Sequence, residues 1–146
     1  MNFGATNYYQ VQDTEEGIKI TYNQVGGYEQ TGWYGSDNMF NGAREIIFVM
    51  KNEYRKEVEF QLKIRNAAKD PVVSKAEVIS DKSTGRFHRF SSSTPNVPYL
   101  IISGGRTCQY KLTLTDNVKS FILVMSVGAP LSSSCLIKGI YARNAQ

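Results

Sequence analysis

Val58-Glu59-Phe60-Gln61-Leu62-Lys63-Ile64-Arg65 alternates apolar and polar residues without a break. In an extended chain successive side chains point to opposite faces. Val58, Phe60, Leu62 and Ile64 therefore share one face, and Glu59, Gln61, Lys63 and Arg65 share the other. A helical period would spread both sets around a cylinder and leave neither a dry side nor a wet one. The segment reads as a strand with one face on a core and the other toward solvent.

The same period recurs on both sides of it. Thr107 to Thr115 puts Cys108, Tyr110, Leu112 and Leu114 on one side, and Ile18, Ile20 and Tyr22 do so near the start. Ile46-Ile47-Phe48-Val49-Met50 and Phe121-Ile122-Leu123-Val124-Met125 are apolar on both faces, as strands central to a packed sheet are. Further strands are expected at Tyr8 to Gln12, Ser74 to Ser80, Arg86 to Phe90, Tyr99 to Ser103 and Leu136 to Arg143. Turn signals separate them: Gly26-Gly27, Asn41-Gly42, Asp70-Pro71, Ser83-Thr84-Gly85, Thr94-Pro95-Asn96, Gly104-Gly105 and Gly128-Ala129-Pro130. No stretch sustains helical periodicity over three turns. About ten short strands at this spacing predict an all-β fold, an antiparallel β-sandwich of the jelly-roll type, as a single domain over 1–146.

Bulk composition narrows the function. The 146 residues carry a formal charge of +4, mildly basic and dispersed along the chain. No run approaches the roughly 18 apolar residues of a membrane span. Met1 is followed by Asn-Phe-Gly-Ala-Thr, with neither the basic start nor the apolar stretch of a signal peptide. Cys108 and Cys135 lack metal-ligand spacing; two buried thiols are the preferred reading, and a single disulfide is the alternative.

The chain is rich in aromatics and poor in catalytic groups, with nine Tyr, seven Phe and one Trp against a single His. His88 is the only imidazole, and no G-x-S-x-G elbow accompanies it. It is read as a polar-face histidine or a ligand contact. Glu57 and Glu59 stand on one strand face about 7 Å apart and are read as solvated strand residues rather than an acid and base pair. Asp37-Asn38 with Asn41 could hold a structural calcium through oxygen ligands, though a turn role is preferred. The chain is therefore expected not to be an enzyme and to need no cofactor.

Gly26-Gly27-Tyr28-Glu29-Gln30-Thr31-Gly32-Trp33-Tyr34-Gly35 is the densest aromatic and glycine stretch. Trp33 has two readings, a core tryptophan entering a strand or a platform on which a ligand stacks. Tyr34 alternates with it, so if one is in the core the other points outward. Tyr28 reads as exposed. Flat rings beside amides and charges suit a sugar, whose apolar C–H face lies on the ring while its hydroxyls take hydrogen bonds at the rim. Glu59, Gln61, Lys63 and Arg65 form such a polar row, and His88 with Tyr99 marks a second candidate location.

Ile46 to Glu53, a short turn and Val58 to Asn66 resemble the paired strands of β-sandwich carbohydrate-binding modules, and Val118 to Val127 with Leu136 to Tyr141 resembles their last two strands. The resemblance implies a non-catalytic module binding plant cell-wall polysaccharide, such as β-glucan, xyloglucan, mannan or xylan. It implies that Gln61, Lys63, Arg65 and Glu59 face the ligand and that Trp33 and Tyr34 supply platform aromatics. It also implies an extracellular module of a larger secreted protein, appended to a glycoside hydrolase or cellulosome-like partner, away from any membrane. The chain departs from the pattern where Ser120, Ile122, Val124 and Ser126 stand in place of charged or amide groups. Two other functions are weighed: a protein-interaction or adhesion sandwich, and a single-stranded nucleic-acid binder suggested by a pI of about 9.1 and the run Arg86-Phe87-His88-Arg89-Phe90.

Overall fold

A computed structural model describes residues 9–23, 31–125 and 132–143. The Gly26-Gly27 and Gly128-Ala129-Pro130 turns lie outside the described residues. Every element is a strand: β1 (Tyr9–Thr14), β2 (Gly17–Tyr22), β3 (Thr31–Tyr34), β4 (Glu45–Asn52), β5 (Val58–Arg65), β6 (Val73–Val78), β7 (Gly85–Phe90), β8 (Pro98–Ile102), β9 (Thr107–Leu114), β10 (Ser120–Met125) and β11 (Ser134–Arg143). They form a six-stranded sheet in the order β1-β2-β11-β4-β9-β6 and a five-stranded sheet in the order β3-β10-β5-β8-β7. Neighbours pair antiparallel throughout. The architecture is a β-sandwich. Only the β1–β2 and β7–β8 connections are hairpins within a sheet, and every other connection crosses from one sheet to the other.

The dry face of each strand meets that of the opposite sheet. Val58, Phe60, Leu62 and Ile64 of β5 join Phe121, Leu123 and Met125 of β10 against Phe48 and Met50 of β4 and Tyr110 and Leu112 of β9. Phe48 stands 5.6 Å from Phe121 and 6.2 Å from Phe60 between ring centroids, and Phe60 lies edge-on to Tyr110 at 6.2 Å. Each such side chain, fully buried, stabilises the fold by about 1.5–3 kcal/mol.

Three polar groups tie the sheets together where apolar contact alone would leave backbone groups unpaired. The Tyr9 hydroxyl accepts from the Met125 amide at 3.0 Å. The Tyr110 hydroxyl donates to the Ile101 carbonyl at 2.6 Å, and burial pushes its phenol well above the ordinary range. Asn52, buried at the end of β4, donates to the carbonyls of Lys56 at 2.8 Å and Ile102 at 3.1 Å and accepts from the Tyr54 amide at 2.8 Å. It thereby holds the β4–β5 turn against the end of β8.

The structure refines several expectations. Thr31–Tyr34, read within a loop-like stretch, is an edge strand paired with β10. Gly32 permits that pairing: a Cβ there would fall 2.8 Å from Ile122 Cγ1. Cys108 and Cys135 are both free and buried. They pair with Met50 and Asn52 on opposite sides of β4, about 9.6 Å apart across the sheet and about 7 Å along it, beyond the reach of a disulfide. Burial pushes the Cys135 thiol up to about 12. Asp37 of the candidate calcium group lies 3.3 Å from the Lys119 ammonium, and the Asn38 carbonyl accepts from the Asn41 amide at 3.2 Å, closing a turn.

Candidate functional site on the outer face of the five-stranded sheet

The outer face of the five-stranded sheet gathers most of the residues the sequence singles out. Register places them in rows across the strands. Tyr34 of β3, Ser120 of β10 and Arg65 of β5 form the first row. Gly32, Ile122 and Lys63 form the second. Val124, Gln61, Tyr99 of β8 and Arg89 of β7 form the third. Glu59, Ile101 and Arg86 form the fourth. Rows stand about 6.5–7 Å apart along β5, and strands about 4.8 Å apart across it.

The wet row of β5 is on the expected face, but it is not uniformly solvated. Glu59, Lys63 and Arg65 are half-buried, and Gln61 is only 8% exposed. The floor of the face explains part of this. Ile122 and Val124 flank Lys63 and Gln61 from β10 and are each 1% exposed, although both lie outside the central core cluster. Gln61 makes no side-chain hydrogen bond with any described residue. Its amide keeps donors and an acceptor directed to the solvent side of the face, where a bound polar group can take them.

The fourth row is organised by a hydrogen bond and an ion pair. His88 Nδ1 lies 2.5 Å from Glu59 Oε2, and Arg86 lies 3.4 Å from Glu57. A bulge in β7 between Phe87 and Arg89 displaces His88 from regular pairing and lets it reach the carboxylate of β5. Arg89 sits over the Tyr99 ring, 4.2 Å from its centroid, a cation–π contact. Two residues along β5 from Gln61, Lys63 is held below the ordinary amine range, first by burial and then by the charge of Arg65.

Trp33 leaves this assembly. Strand alternation sets it beside Phe121 of the core, where it packs against the central cluster and meets Phe40 edge-to-face at 6.1 Å. Of its two readings, that of a core tryptophan fits this placement. Tyr34, one residue on, is 68% exposed on the outer face and is the exposed aromatic of the pair. Tyr28 lies outside the described residues. Glu59, Gln61, Lys63, Arg65, His88 and Tyr99 share the face with Tyr34, so the strand row and the His88–Tyr99 location are one surface rather than two. Arg86 and Arg89, singled out only for the nucleic-acid reading, join it. The alternation Arg86-Phe87-His88 signals two outward residues, but the bulge that also turns Arg89 outward leaves no local mark in the sequence.

Compared with known proteins, the chain matches no family model and no curated sequence. Among the described residues, no group of three or more His, Cys, Asp or Glu side chains is placed to hold a metal ion, and no helix is long and apolar enough to cross a membrane.

Proposed function

We propose that the outer face of the β3-β10-β5-β8-β7 sheet binds a carbohydrate chain without cleaving it, and that the chain is a β-sandwich carbohydrate-binding module. The observation that carries the reading is Gln61, a residue 8% exposed whose amide makes no hydrogen bond with a described residue and opens onto the outer face between Val124 and Tyr99. A sugar edge, with adjacent hydroxyls that both donate and accept, satisfies both ends of such an amide at once. Tyr34 supplies an exposed ring one end of the row away, and the row spacing of about 6.5–7 Å is on the scale of one sugar ring.

The finer parts of the reading belong to the same proposal. The order β2-β11-β4-β9 facing β3-β10-β5-β8, with chain crossings between sheets at nearly every step, supports the jelly-roll type. The absence of a serine, threonine or cysteine from the outward positions flanking His88, namely Glu59, Tyr99, Ile101, Arg86 and Arg89, supports binding rather than nucleophilic catalysis. Plant cell-wall polysaccharide as ligand, and an extracellular place within a larger degradative protein, complete the proposal on the resemblance of β4–β5 and β10–β11 to such modules.

Affinity electrophoresis through gels containing soluble β-glucans, mannans, xylans and pectic polymers tests it. Retardation by at least one polymer, weakened in Tyr34→Ala with the circular dichroism spectrum intact, is the expected result. Free migration through every gel overturns the reading.

A further inference from the structure

The charges of this face are unevenly matched. Both carboxylates of β5 and its leading turn are taken, Glu59 by His88 and Glu57 by Arg86. On the opposite sheet Lys111 reaches Glu45 and Glu77, Lys75 reaches Glu77, and Arg143 reaches Glu45. Lys19 meets Glu53, and Lys119 meets Asp37. Lys51, Arg55, Lys56, Lys69 and Lys138 also lack such partners elsewhere, whereas on this face the cations that meet neither a carboxylate nor a ring are Lys63 and Arg65. They stand two residues apart on one strand face, and neither side chain has an ion pair or hydrogen bond with a described residue.

We infer that the glycan bound here is acidic, and that Lys63 and Arg65 receive the carboxylate of a uronate ring while the ring beside it lies on Tyr34. The inference rests on the carbohydrate reading above and names the class of sugar. Its geometry follows from the rows. Tyr34 and Arg65 share one row, separated by the small Ser120, so the surface between ring and guanidinium carries no bulky side chain. Arg65 offers a planar fork that matches a carboxylate, and Lys63 offers a point charge one row along. Gln61 follows on the same strand face and takes hydroxyls of the next ring.

Lys63 and Arg65 stand side by side as like charges on a partly dry surface, and burial first, then the Arg65 charge, lowers the basicity of Lys63. An anion between them converts the repulsion into attraction on both sides. The chain's positive formal charge of +4 favours the approach of an acidic polymer.

A single nucleic-acid strand is the other polyanion to weigh. It needs a basic track beneath consecutive phosphates. At the far end of this face Arg86 and His88 are taken by Glu57 and Glu59 and Arg89 lies over Tyr99, so the cations left without a carboxylate or a ring, Lys63 and Arg65, stand at one end and form no continuous track. Carboxylates spaced by whole sugar rings, with neutral hydroxyl edges between them, suit a face with two unpaired cations at one end, an amide beside them and matched charges at the other.

The experiment is titration calorimetry of the whole chain with polygalacturonate and with the same polymer fully methyl-esterified, which keeps the backbone and removes the charge. Alginate and a soluble neutral β-glucan extend the series, and a single-stranded oligonucleotide is the polyanion control. A uronate polymer is expected to bind about tenfold or more tighter than its ester, the scale of one charged hydrogen bond. Its affinity should fall with added salt. The double variant Lys63→Met/Arg65→Met should lose that advantage, so that acid and ester bind within about twofold of each other. Lys63→Gln/Arg65→Gln serves as a second pair that keeps polarity, and circular dichroism checks both for folding.

Equal binding of acid and ester, or an undiminished preference in both double variants, overturns the inference and leaves the carbohydrate reading standing. So does tight binding of the neutral glucan alone. Failure of every glycan to bind overturns both. An oligonucleotide bound more tightly than any uronate, with a steep salt dependence, overturns the inference in favour of nucleic acid.

Discussion

Replacing Gln61 with methionine should make the protein more stable and less able to bind. Methionine has the same unbranched reach and close to the same volume, so it leaves no cavity between Val124 and Tyr99. What it removes is an amide that has no partner among the described residues. An unpartnered polar group in a buried site costs about 1–3 kcal/mol. Gln61 keeps 8% of its surface, so water reaches part of it and the lower figure applies. The expected gain is about 1 kcal/mol, seen as a higher urea midpoint at unchanged slope and a rise in melting temperature of about 3 °C. Glycan affinity should fall about tenfold as the hydrogen bonds to the sugar edge are lost. The two measurements are made on one preparation, by urea titration followed through Trp33 fluorescence and by calorimetry with the best polymer. A residue kept for packing gives the opposite pair of results. A variant destabilised by more than about 1 kcal/mol, or one that binds as the parent does, would falsify the assignment of Gln61 as a ligand contact.

Neighbouring aromatics should separate in the same two assays. Trp33→Ala should cost about 2–3 kcal/mol, below the range of about 3–5 kcal/mol for a fully buried ring because Trp33 is half-buried against the core and Phe40. Tyr34→Ala should shift stability by less than about 0.5 kcal/mol and weaken glycan binding by about 1–3 kcal/mol, taking base stacking as the proxy for a sugar; the reverse pattern would make Trp33 the platform. The buried Cys135 thiol makes a third prediction, on pH. Its folded pKa of about 12 lies above the ordinary value of 9.0, so its contribution is intact below pH about 9 and is lost as pH rises toward 12, by up to about 4 kcal/mol. Urea midpoints from neutral to alkaline pH should fall more gently in Cys135→Ala than in the parent, and parallel declines would show that this thiol does not titrate with unfolding.

Much of the sandwich is legible in the chain because a strand's period is local. Val58 to Arg65 sorts itself into two faces from eight consecutive residues, and β5 keeps that sorting, with Val58, Phe60, Leu62 and Ile64 in the core. Ile46 to Met50 and Phe121 to Met125 announce interior strands in the same way, and β4 and β10 each have a neighbour on both sides. Strand ends were less legible: β1 runs to Thr14 and β6 begins at Val73, because a strand stops where its partner stops pairing.

The site itself depends on partners remote in sequence. Gln61 was legible as outward, but its burial is set by Val124 on one side and Tyr99 on the other, and no local pattern names those neighbours. Trp33 and Tyr34 were legible as opposite in direction, but only the pairing of Trp33 with Phe121 decides which one enters the core. Glu59 and His88 meet because β8 lies between their strands and β7 bulges at His88. By itself the sequence determined which side chains share a strand face, since that follows from backbone alternation alone. Tertiary structure decided which faces adjoin, and so which polar groups find partners and which are left for a ligand, because register is a property of two strands and is written in neither one.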